Sequence, residues 1–303
     1  MTSMREGNGA SAGGADTWLA ERFEEHRGRL RAVAYRMLGT FDEADDAVQE
    51  AWVRFSAAGA DEVVNLGGWL TTIVTRVCLN VLRSRAAHPE ALAGPHVPDP
   101  VLSPAEGPTP EQEALLADSV GLALLVVLDT LSPAERVAFV LHDVFDVPFG
   151  EIAPVLDRTP EAARQLASRA RHRVKAAGAR EPDGAVTAQR AVIDAFFAAA
   201  RAGDLTSLVQ LLDPDVVLRT DGFVAGPATL RGAEAVSGAA LGGASPRAEF
   251  QPVLVNGAAG VLITLRGRPA ALMAFTVVEG RITAIDGITD PYRLRRLLAE
   301  PAP

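Results

Sequence analysis

The sequence predicts a multidomain chain in which two all-α domains are followed by one α+β domain. Two observations carry this expectation. Proline is concentrated between Pro89 and Pro110, where it prevents helix interiors and predicts an extended linker. After Asp213-Pro214 the apolar pattern changes from a helical period to short runs separated by glycine, which is typical of antiparallel strands. The predicted boundaries are 15–88, a proline-rich acidic linker over 89–114, then 115–180 and 186–300.

Composition excludes several classes of protein. A chain of 303 residues with 48% hydrophobic content is long enough for two or three domains with a real core. Cys78 is the single cysteine, so neither an internal disulfide nor a thiolate zinc site is expected. No apolar run reaches the roughly 20 residues that cross a bilayer, and we expect a cytoplasmic protein without a membrane partner. The net charge of −9 argues against nucleic acid unless basic residues are concentrated locally.

The first domain is predicted as three helices. Apolar residues recur at a helical period over 23–38, and Gly39 ends that run. A second helix is expected over 42–55, with acids crowded at its start where the helix dipole favours them. A third is expected from about residue 67 to 85. Its inward positions are predicted as Trp69, Ile73, Val77 and Val81.

The second domain is predicted as a helix-turn-helix. Ser132 before Pro133, with Glu135 three residues after the serine, is a capping-box start for a helix over 133–145. A short helix to about residue 156 follows, and Thr159-Pro160 opens the next one, which continues to about residue 177. Two helices joined by a tight turn, the second of them basic, are typical of this motif.

The last of these helices carries the positive charge that the whole chain lacks. Residues 158–175 hold six basic side chains against one acid, a local charge of +5. Such a helix can enter the major groove of DNA. A solvated basic face at a helix C-terminus is the alternative. The candidates for reading duplex DNA are Arg164, Gln165, Ser168, Arg169, Arg171 and Lys175.

The order of these motifs resembles the extracytoplasmic-function (ECF) sigma factors of bacterial RNA polymerase. The resemblance rests on the acidic helix over 42–55, a helix that opens with Gly68-Trp69-Leu70, the linker, and residues 131–136 leading into the helix-turn-helix. It implies a region 2 helical bundle and a region 4 helix-turn-helix that bind core polymerase and recognise the −10 and −35 promoter elements. The alternative is an autonomous helix-turn-helix regulator with a ligand-sensing or catalytic C-terminal domain, although such a protein has no reason to contain the acidic helix.

The resemblance also assigns residues to contacts. In the family the acidic helix binds the clamp helices of the polymerase β′ subunit, and the next helix reads the melted −10 strand. Trp69 has two interpretations, base stacking or core packing. Phe139, Val140 and Leu141 are expected in the domain core rather than at the polymerase β flap. The polymerase-binding candidates are Asp45, Asp46, Gln49, Glu50 and Trp52, and the −10 candidates are Trp69, Arg76, Asn80, Arg83 and Arg85.

Residues 186–300 resemble a SnoaL-like (NTF2-like) cone, and three short motifs resemble those of sigma factors that carry this extension. Residues 221–226 lie at the place of an Asp-Gly-Gly-Gly-Lys loop, 290–294 resemble Asn-Pro-Asp-Lys-Leu, and 94–100 resemble Gly-Pro-Trp-Leu-Pro-Glu-Pro. The resemblance implies that this domain contacts the sigma halves and regulates them in cis, in place of a separate anti-sigma protein. The regulatory candidates are Asp221, Gly222, Gly226, Asp290 and Pro291.

Catalysis by the third domain is not expected. It contains no histidine, and its candidate carboxylates, Asp221 and Asp286, lie beside glycines in loop-like sequence, whereas acid–base catalysis needs a tuned group in an apolar cavity. We therefore expect no catalytic residue and no cofactor, and leave open a small ligand in the cone. No metal-ligand spacing relates the chain's histidines, His26, His88, His96, His142 and His172.

Overall fold

The structure, a computed structural model, describes residues 10–58, 65–88, 97–104, 122–176, 185–222 and 228–299. The chain forms two compact units, and each combines segments that are distant in sequence. The first contains Met1–Ala87 and Ser132–Ala170, and the second contains His88–Leu131 and Arg171–Pro303. The packing thus groups the linker with the C-terminal domain.

Three long helices open the first unit: α1 (Ala10–Leu38), α2 (Phe41–Ala58) and α3 (Leu66–Ala87). The predicted three-helix bundle is confirmed. Gly39, at φ +86°, ends α1 because glycine adopts this left-handed conformation without a steric penalty. Phe23 and Phe55 are fully buried where the three helices meet.

The buried face of α3 is shifted by one position along the sequence from the predicted face. Leu70, Val74 and Cys78 are fully buried, whereas Trp69, Ile73 and Val81 are only half-buried and Val77 alone of the predicted set is buried. Both stripes are apolar, so the helical period in the sequence fits either of them. Burial raises the pKa of the Cys78 thiol to about 12.

The helix-turn-helix is confirmed in the form predicted. Helix α5 (Pro133–Phe139) runs into a π-helical turn (Val140–Val144), and α6 (Phe149–Leu156) and α7 (Pro160–Ala176) follow. The capping box forms, with the Ser132 amide and hydroxyl donating to Glu135 Oε2 at 3.2 and 2.7 Å. Phe139, Val140 and Leu141 are 7%, 0% and 1% exposed, as a core position requires.

The second unit is built on a seven-stranded sheet in the order β1-β4-β5-β6-β7-β2-β3. This confirms the helix-plus-sheet fold expected of the NTF2-like domain. Its strands are β1 (Leu102–Pro104), β2 (Leu212–Thr220), β3 (Ala228–Arg231), β4 (Ala248–Val255), β5 (Ala258–Leu265), β6 (Arg268–Val278) and β7 (Arg281–Ile288). Its helices are α4 (Leu122–Leu128), α8 (Val186–Ala202), α9 (Leu205–Leu211), α10 (Ala233–Gly243) and α11 (Pro291–Ala299).

Strands β4 to β7 form the predicted antiparallel meander. All three of its hairpin turns have two residues with positive φ, Asn256-Gly257, Arg266-Gly267 and Glu279-Gly280, which matches the right-handed twist of the strands they join. The prediction that residues 216–220 belong to this antiparallel meander is wrong, because β2 pairs in parallel with β7. The short strand β3, which the sequence analysis did not predict, pairs with β2.

Part of the predicted linker belongs to this sheet. Strand β1 pairs antiparallel with β4, with Ser103 opposite Leu254. Just before it, the Val101 amide donates to Asn256 Oδ1 at 2.9 Å, and the Val101 carbonyl accepts from the Asn256 amide at 2.8 Å. Residues 97–101 are buried. The prolines do keep this segment extended, as predicted, but as a strand at the edge of a sheet.

No helix among the described residues combines the length and apolar character needed to cross a membrane.

Candidate polymerase, DNA and regulatory surfaces

The acidic candidates lie on the outer face of α2. Asp45, Asp46, Gln49 and Glu50 are exposed. Asp45 is held by the Arg31 guanidinium, with Nε donating to Oδ1 at 2.6 Å and Nη2 to Oδ2 at 2.9 Å. This surface can present carboxylates to a basic protein partner.

Trp52 and Val53 follow these acidic residues on α2 and differ in burial. Trp52 is half-buried, with its ring centroid 5.1 Å from that of Phe23 and 6.0 Å from that of Phe55. Its side chain therefore packs mainly inside the bundle and contributes less to the exposed surface. Val53 is 55% exposed and follows Asp46, Gln49 and Glu50 on one helical stripe. Sequence reasoning missed Val53, since only its exposure distinguishes it from a core valine.

Three of the −10 candidates form one stripe on α3. Arg76, Asn80 and Arg83 are exposed at spacings i, i+4 and i+7, which places them on one face. The Arg76 guanidinium Nη2 donates to the Pro154 carbonyl of α6 at 3.4 Å. In this conformation α6 thus contacts the stripe at Arg76.

The other two −10 candidates face the helical bundle. Arg85 turns toward its own bundle, where Nη1 donates to the Leu38 carbonyl at 3.0 Å and Nη2 pairs with Glu43. A guanidinium held this way anchors α3 to the α1–α2 junction and is not displayed to phosphate. Trp69 is half-buried, and its ring meets that of Phe55 in an edge-to-face arrangement with the centroids 5.7 Å apart, which favours the core interpretation.

Helix α7 presents the predicted basic face. Arg164, Gln165, Arg171 and Lys175 are exposed and Ser168 is half-buried. On the opposite side Ala163, Ala167 and Ala170 are fully buried, so small residues let the helix pack closely. The Ala162 amide donates to Thr159 Oγ1 at 3.2 Å, which caps α7 after the turn that begins at Asp157.

Two of these arginines also position the motif. Arg169 Nε donates at 3.2 Å to Oε1 of Glu135, whose side chain is 4% exposed and whose other oxygen serves the capping box. Arg169 therefore ties α7 to the start of α5. The Arg164 guanidinium lies over the Phe149 ring at 5.4 Å, which orients it at the N-terminal half of α7.

The regulatory motifs converge on Arg293, in the first turn of α11. Its Nη2 donates at 2.6 Å to both Asp99 Oδ1 and the Val97 carbonyl, and its Nη1 donates to Asp221 Oδ2 at 3.3 Å. Arg296 adds a bond to Asp99 Oδ2 at 3.1 Å. Residues from the linker, the β2 end and α11, far apart in sequence, thus meet at one guanidinium. We call Asp99, Asp221, Arg293 and Arg296 the clasp.

The ends of β2 and β7 are fastened to each other beside the clasp. Asp221 Oδ1 accepts from the Thr289 amide at 2.7 Å, from the Thr289 hydroxyl at 2.8 Å and from the Asp290 amide at 3.2 Å. Asp290 Oδ1 in turn accepts from the amides of Tyr292 and Arg293 at 2.7 and 3.0 Å, and Pro291 occupies the first helical position, as an N-capped helix favours. Gly222 follows at φ +62°, and Gly226 lies outside the described residues.

Sequence reasoning missed Asp99, Arg293 and Arg296 as site residues. Arg293 stands at the lysine position of the Asn-Pro-Asp-Lys-Leu resemblance, and Asp99 at the glutamate position of the linker motif. An acid in one imperfect motif and a base in another could have suggested the pair. In the sequence Asp99 is one acid of an acidic linker, whereas in the structure it is 1% exposed.

Asp286 is not the loop carboxylate that the sequence suggests. It lies within β7, is 3% exposed, and accepts from Arg219 Nη1 on β2 at 2.9 Å. Burial raises the pKa of Asp286, and the Arg219 charge and hydrogen bond oppose this shift. The pair bridges two parallel strands, which is a structural role.

In the described part of the chain, no three histidine, cysteine or carboxylate side chains are grouped to hold a metal ion.

Comparison with known proteins extends over both units. Residues 22–88 match the family model Sigma-70 region 2, and residues 121–174 match Sigma-70, region 4. The chain is 38% identical to the ECF RNA polymerase sigma factor SigJ of Mycobacterium tuberculosis over 284 residues, 89% of this chain and 91% of that protein. It is 34% identical to the probable ECF RNA polymerase sigma factor SigI of the same organism over 291 residues, 93% of this chain and 97% of that protein. The crystal structure of M. tuberculosis SigJ superposes with a TM-score of 0.70 at 36% identity, over 94% of this chain and 100% of that chain.

Proposed function

This chain belongs to the ECF sigma factors, which bind core RNA polymerase and direct it to promoters, and we propose that its C-terminal domain regulates this activity in cis by holding the linker between regions 2 and 4. The observation that carries the proposal is the convergence of the linker, the β2 end and α11 on Arg293. In the clasped state the chain between the two DNA-reading regions is fixed to the C-terminal sheet.

The energetics support a clasp that holds. Asp99 and Asp221 side chains are 1% and 12% exposed, and that of Arg293 is 21% exposed, so water does little to weaken their attraction. Removing one partner of a buried, hydrogen-bonded ion pair costs about 3–5 kcal/mol, and loss of Arg293 would remove the bonds to Val97, Asp99 and Asp221 together. A loss of that size would weaken the attachment of the linker segment to the C-terminal domain.

The first helix of the region 4 match lies in the same unit as the C-terminal domain. Helix α4 packs against β7, and Leu125 and Leu128 are fully buried, although the region 4 match begins at residue 121. The C-terminal domain thus engages region 4 as well as the linker. A regulator needs such contacts on the part that it regulates.

The first unit supports an inhibitory direction for this regulation. Its helix α3 packs against α5 and α6 of region 4. The −10 and −35 elements are about 25 base pairs apart, which is ~85 Å of B-form DNA, too far for a compact unit to reach both. Regions 2 and 4 must therefore separate to read a promoter. We assign the clasped state to the closed, low-activity form because a released linker and α4 leave region 4 free to move.

The surfaces described above supply the contacts with polymerase and promoter. We assign Asp45, Asp46, Gln49 and Glu50 of α2 to the β′ clamp helices. The stripe of Arg76, Asn80 and Arg83 reads the melted −10 strand, and the exposed face of α7 reads the −35 duplex. Contact with the β flap falls to residues of region 4 other than the buried Phe139, Val140 and Leu141.

A catalytic role for the C-terminal domain receives no support from its cavity. Among the described residues that line the cone, none is a histidine, cysteine or carboxylate. Asp286 is engaged by Arg219 and Asp221 by Thr289 and Arg293. We propose a regulatory domain without an acid–base pair.

Run-off transcription with purified core polymerase and a cognate promoter tests the proposal. We expect Arg293→Ala to raise initiation several-fold at limiting protein, since the linker is then held less tightly by the C-terminal domain. Arg295→Ala is the matched control. Arg295 is exposed on the same helix, and its guanidinium lies over the Tyr292 ring and not in the clasp. Circular dichroism verifies folding of both variants. Equal transcription by Arg293→Ala, Arg295→Ala and the unaltered chain would contradict regulation through the clasp, and transcripts that form equally without the chain would contradict its role in initiation.

A further inference from the structure

The C-terminal cone encloses a cavity of about 460 Å³, within the roughly 300–1,000 Å³ typical of small-molecule sites. Its sheet wall is apolar, with Leu218, Ile263 and Met273 among its side chains. Its helical wall on α10 is formed by small residues, including Ala239, Ala240 and Gly243. The small residues opposite a broad apolar sheet leave the space open, so the cavity suits a hydrocarbon or aromatic skeleton.

A single charge lies at this cavity. Arg201 is the one charged side chain among the described residues that line it. Its guanidinium is exposed and lies over the Phe250 ring at 5.2 Å, and no carboxylate in the described ranges pairs with it. An unpaired guanidinium beside an apolar space complements a ligand with an acidic head and an apolar body.

The cavity and the clasp share residues. Thr220 and Gly222 line the cavity and flank Asp221 in the chain. Thr289 also lines it and donates two hydrogen bonds to Asp221 Oδ1. A molecule that displaces Thr289 or the 220–222 segment would therefore move the carboxylate that Arg293 holds.

We propose that the cone binds a small apolar carboxylic acid, with its acid group at Arg201 and its carbon skeleton in the cavity, and that occupancy shifts the clasp. The coupling rests on the proposed function of the clasp, whereas the binding site stands on its own geometry. The acid acts as an effector and undergoes no reaction.

Isothermal titration calorimetry on the full chain tests the site with three ligands of equal tail length: decanoate, 1-decanol and decyltrimethylammonium, each below its micelle concentration. We expect decanoate to bind most tightly and the cationic ligand least. Arg201→Gln weakens decanoate by about three- to fivefold, as for an exposed ion pair, and leaves 1-decanol unchanged. Arg281→Gln, an exposed arginine on β7, is its matched control.

A cavity-filling change tests the location. We expect Ala240→Phe to abolish binding of decanoate and 1-decanol, whereas Ala235→Phe on the exposed face of the same helix leaves both intact; thermal melting verifies that the two variants fold. Saturable binding that survives Ala240→Phe, or no saturable binding to the unaltered chain, would overturn the site. Equal affinity for acid and alcohol would overturn the role of Arg201.

Run-off transcription tests the coupling between the cavity and the clasp separately from binding. We expect decanoate to change run-off transcription by the unaltered chain and to leave Ala240→Phe unaffected. Decanoate binding without any change in transcription would overturn the coupling to the clasp. That outcome is distinct from a failure of the proposed function, which is measured by Arg293→Ala without ligand.

Discussion

The Arg293 guanidinium joins three parts of the chain through hydrogen bonds whose directions are fixed by its planar geometry. Its planar fork reaches Asp99, the Val97 carbonyl and Asp221 at once, a pattern that the compact ammonium of a lysine cannot reproduce. The sequence shows Asp99, Asp221 and Arg293 in three separate, imperfect motifs. Their meeting depends on the sheet order and on α11 returning to the β2 end, which local patterns do not encode.

The buried carboxyl of Asp286 makes a prediction about pH at the residue scale. Because its pKa is raised in the folded state, the folded chain binds this proton more readily than the unfolded chain. Its contribution to the free energy of unfolding is therefore fully present below the ordinary aspartate pKa of about 3.9 and is lost as the pH rises through the raised folded-state pKa.

Comparison of the unaltered chain with Asp286→Asn measures the pH-dependent contribution of Asp286 to the free energy of unfolding. We expect the free energy of unfolding of the unaltered chain, relative to that of the variant, to fall as the pH is raised from about 4 toward neutral. Denaturant unfolding at a series of pH values provides the measurement. Asp215→Asn, at an exposed aspartate, is the control. A difference that stays constant or rises with pH would contradict the assignment.

At the scale of elements, sequence patterns located most helices and turns because their signals are local. The capping box at Ser132, the Thr159 cap and the three two-residue hairpin turns each depend on neighbouring residues alone. The short strands β1 and β3 and the parallel pairing of β2 with β7 depend on partners far along the chain. A three-residue strand such as β1 has no periodic signal of its own.

Helix α2 carries the prediction at this scale, on core polymerase binding. We expect Glu50→Arg to weaken binding to core polymerase by about tenfold, because reversing a charge in an electrostatically matched interface adds repulsion to the lost attraction. Glu25→Arg on α1 is the control, since Glu25 is likewise exposed and pairs with its helical neighbour Arg22. Fluorescence anisotropy with labelled protein at several salt concentrations gives the affinities. Equal loss in both variants, or loss in the control alone, would contradict the assignment of the α2 surface.

At the scale of the whole molecule, the net charge of −9 is compatible with promoter binding because charge is sorted by segment. Helix α7 is basic and α2 is acidic, so the surfaces that we propose for DNA and for core polymerase carry opposite charge. In the described part of the linker, Asp99 is neutralised by Arg293 and Arg296. One acid of a segment that composition marks as a solvated linker thus serves to attach that segment to the C-terminal domain.

The most direct test of the clasp is to lock β1 onto β4 reversibly. Leu102 and Val255 are cross-strand partners, and antiparallel partners have Cα atoms about 4.5–5.5 Å apart, within the range of a disulfide. Leu102→Cys with Val255→Cys can therefore be oxidised to fix the linker and reduced to release it. Cys78 takes no part, because its thiol is buried with a pKa of about 12.

Run-off transcription with core polymerase then compares the two redox forms of the double variant, with the unaltered chain and the single variant Leu102→Cys carried through both treatments as controls. We expect the oxidised double variant to initiate several-fold less than its reduced form, while both controls are the same in the two treatments. Equal or higher initiation by the oxidised form would contradict the claim that the C-terminal domain restrains this sigma factor by holding its linker.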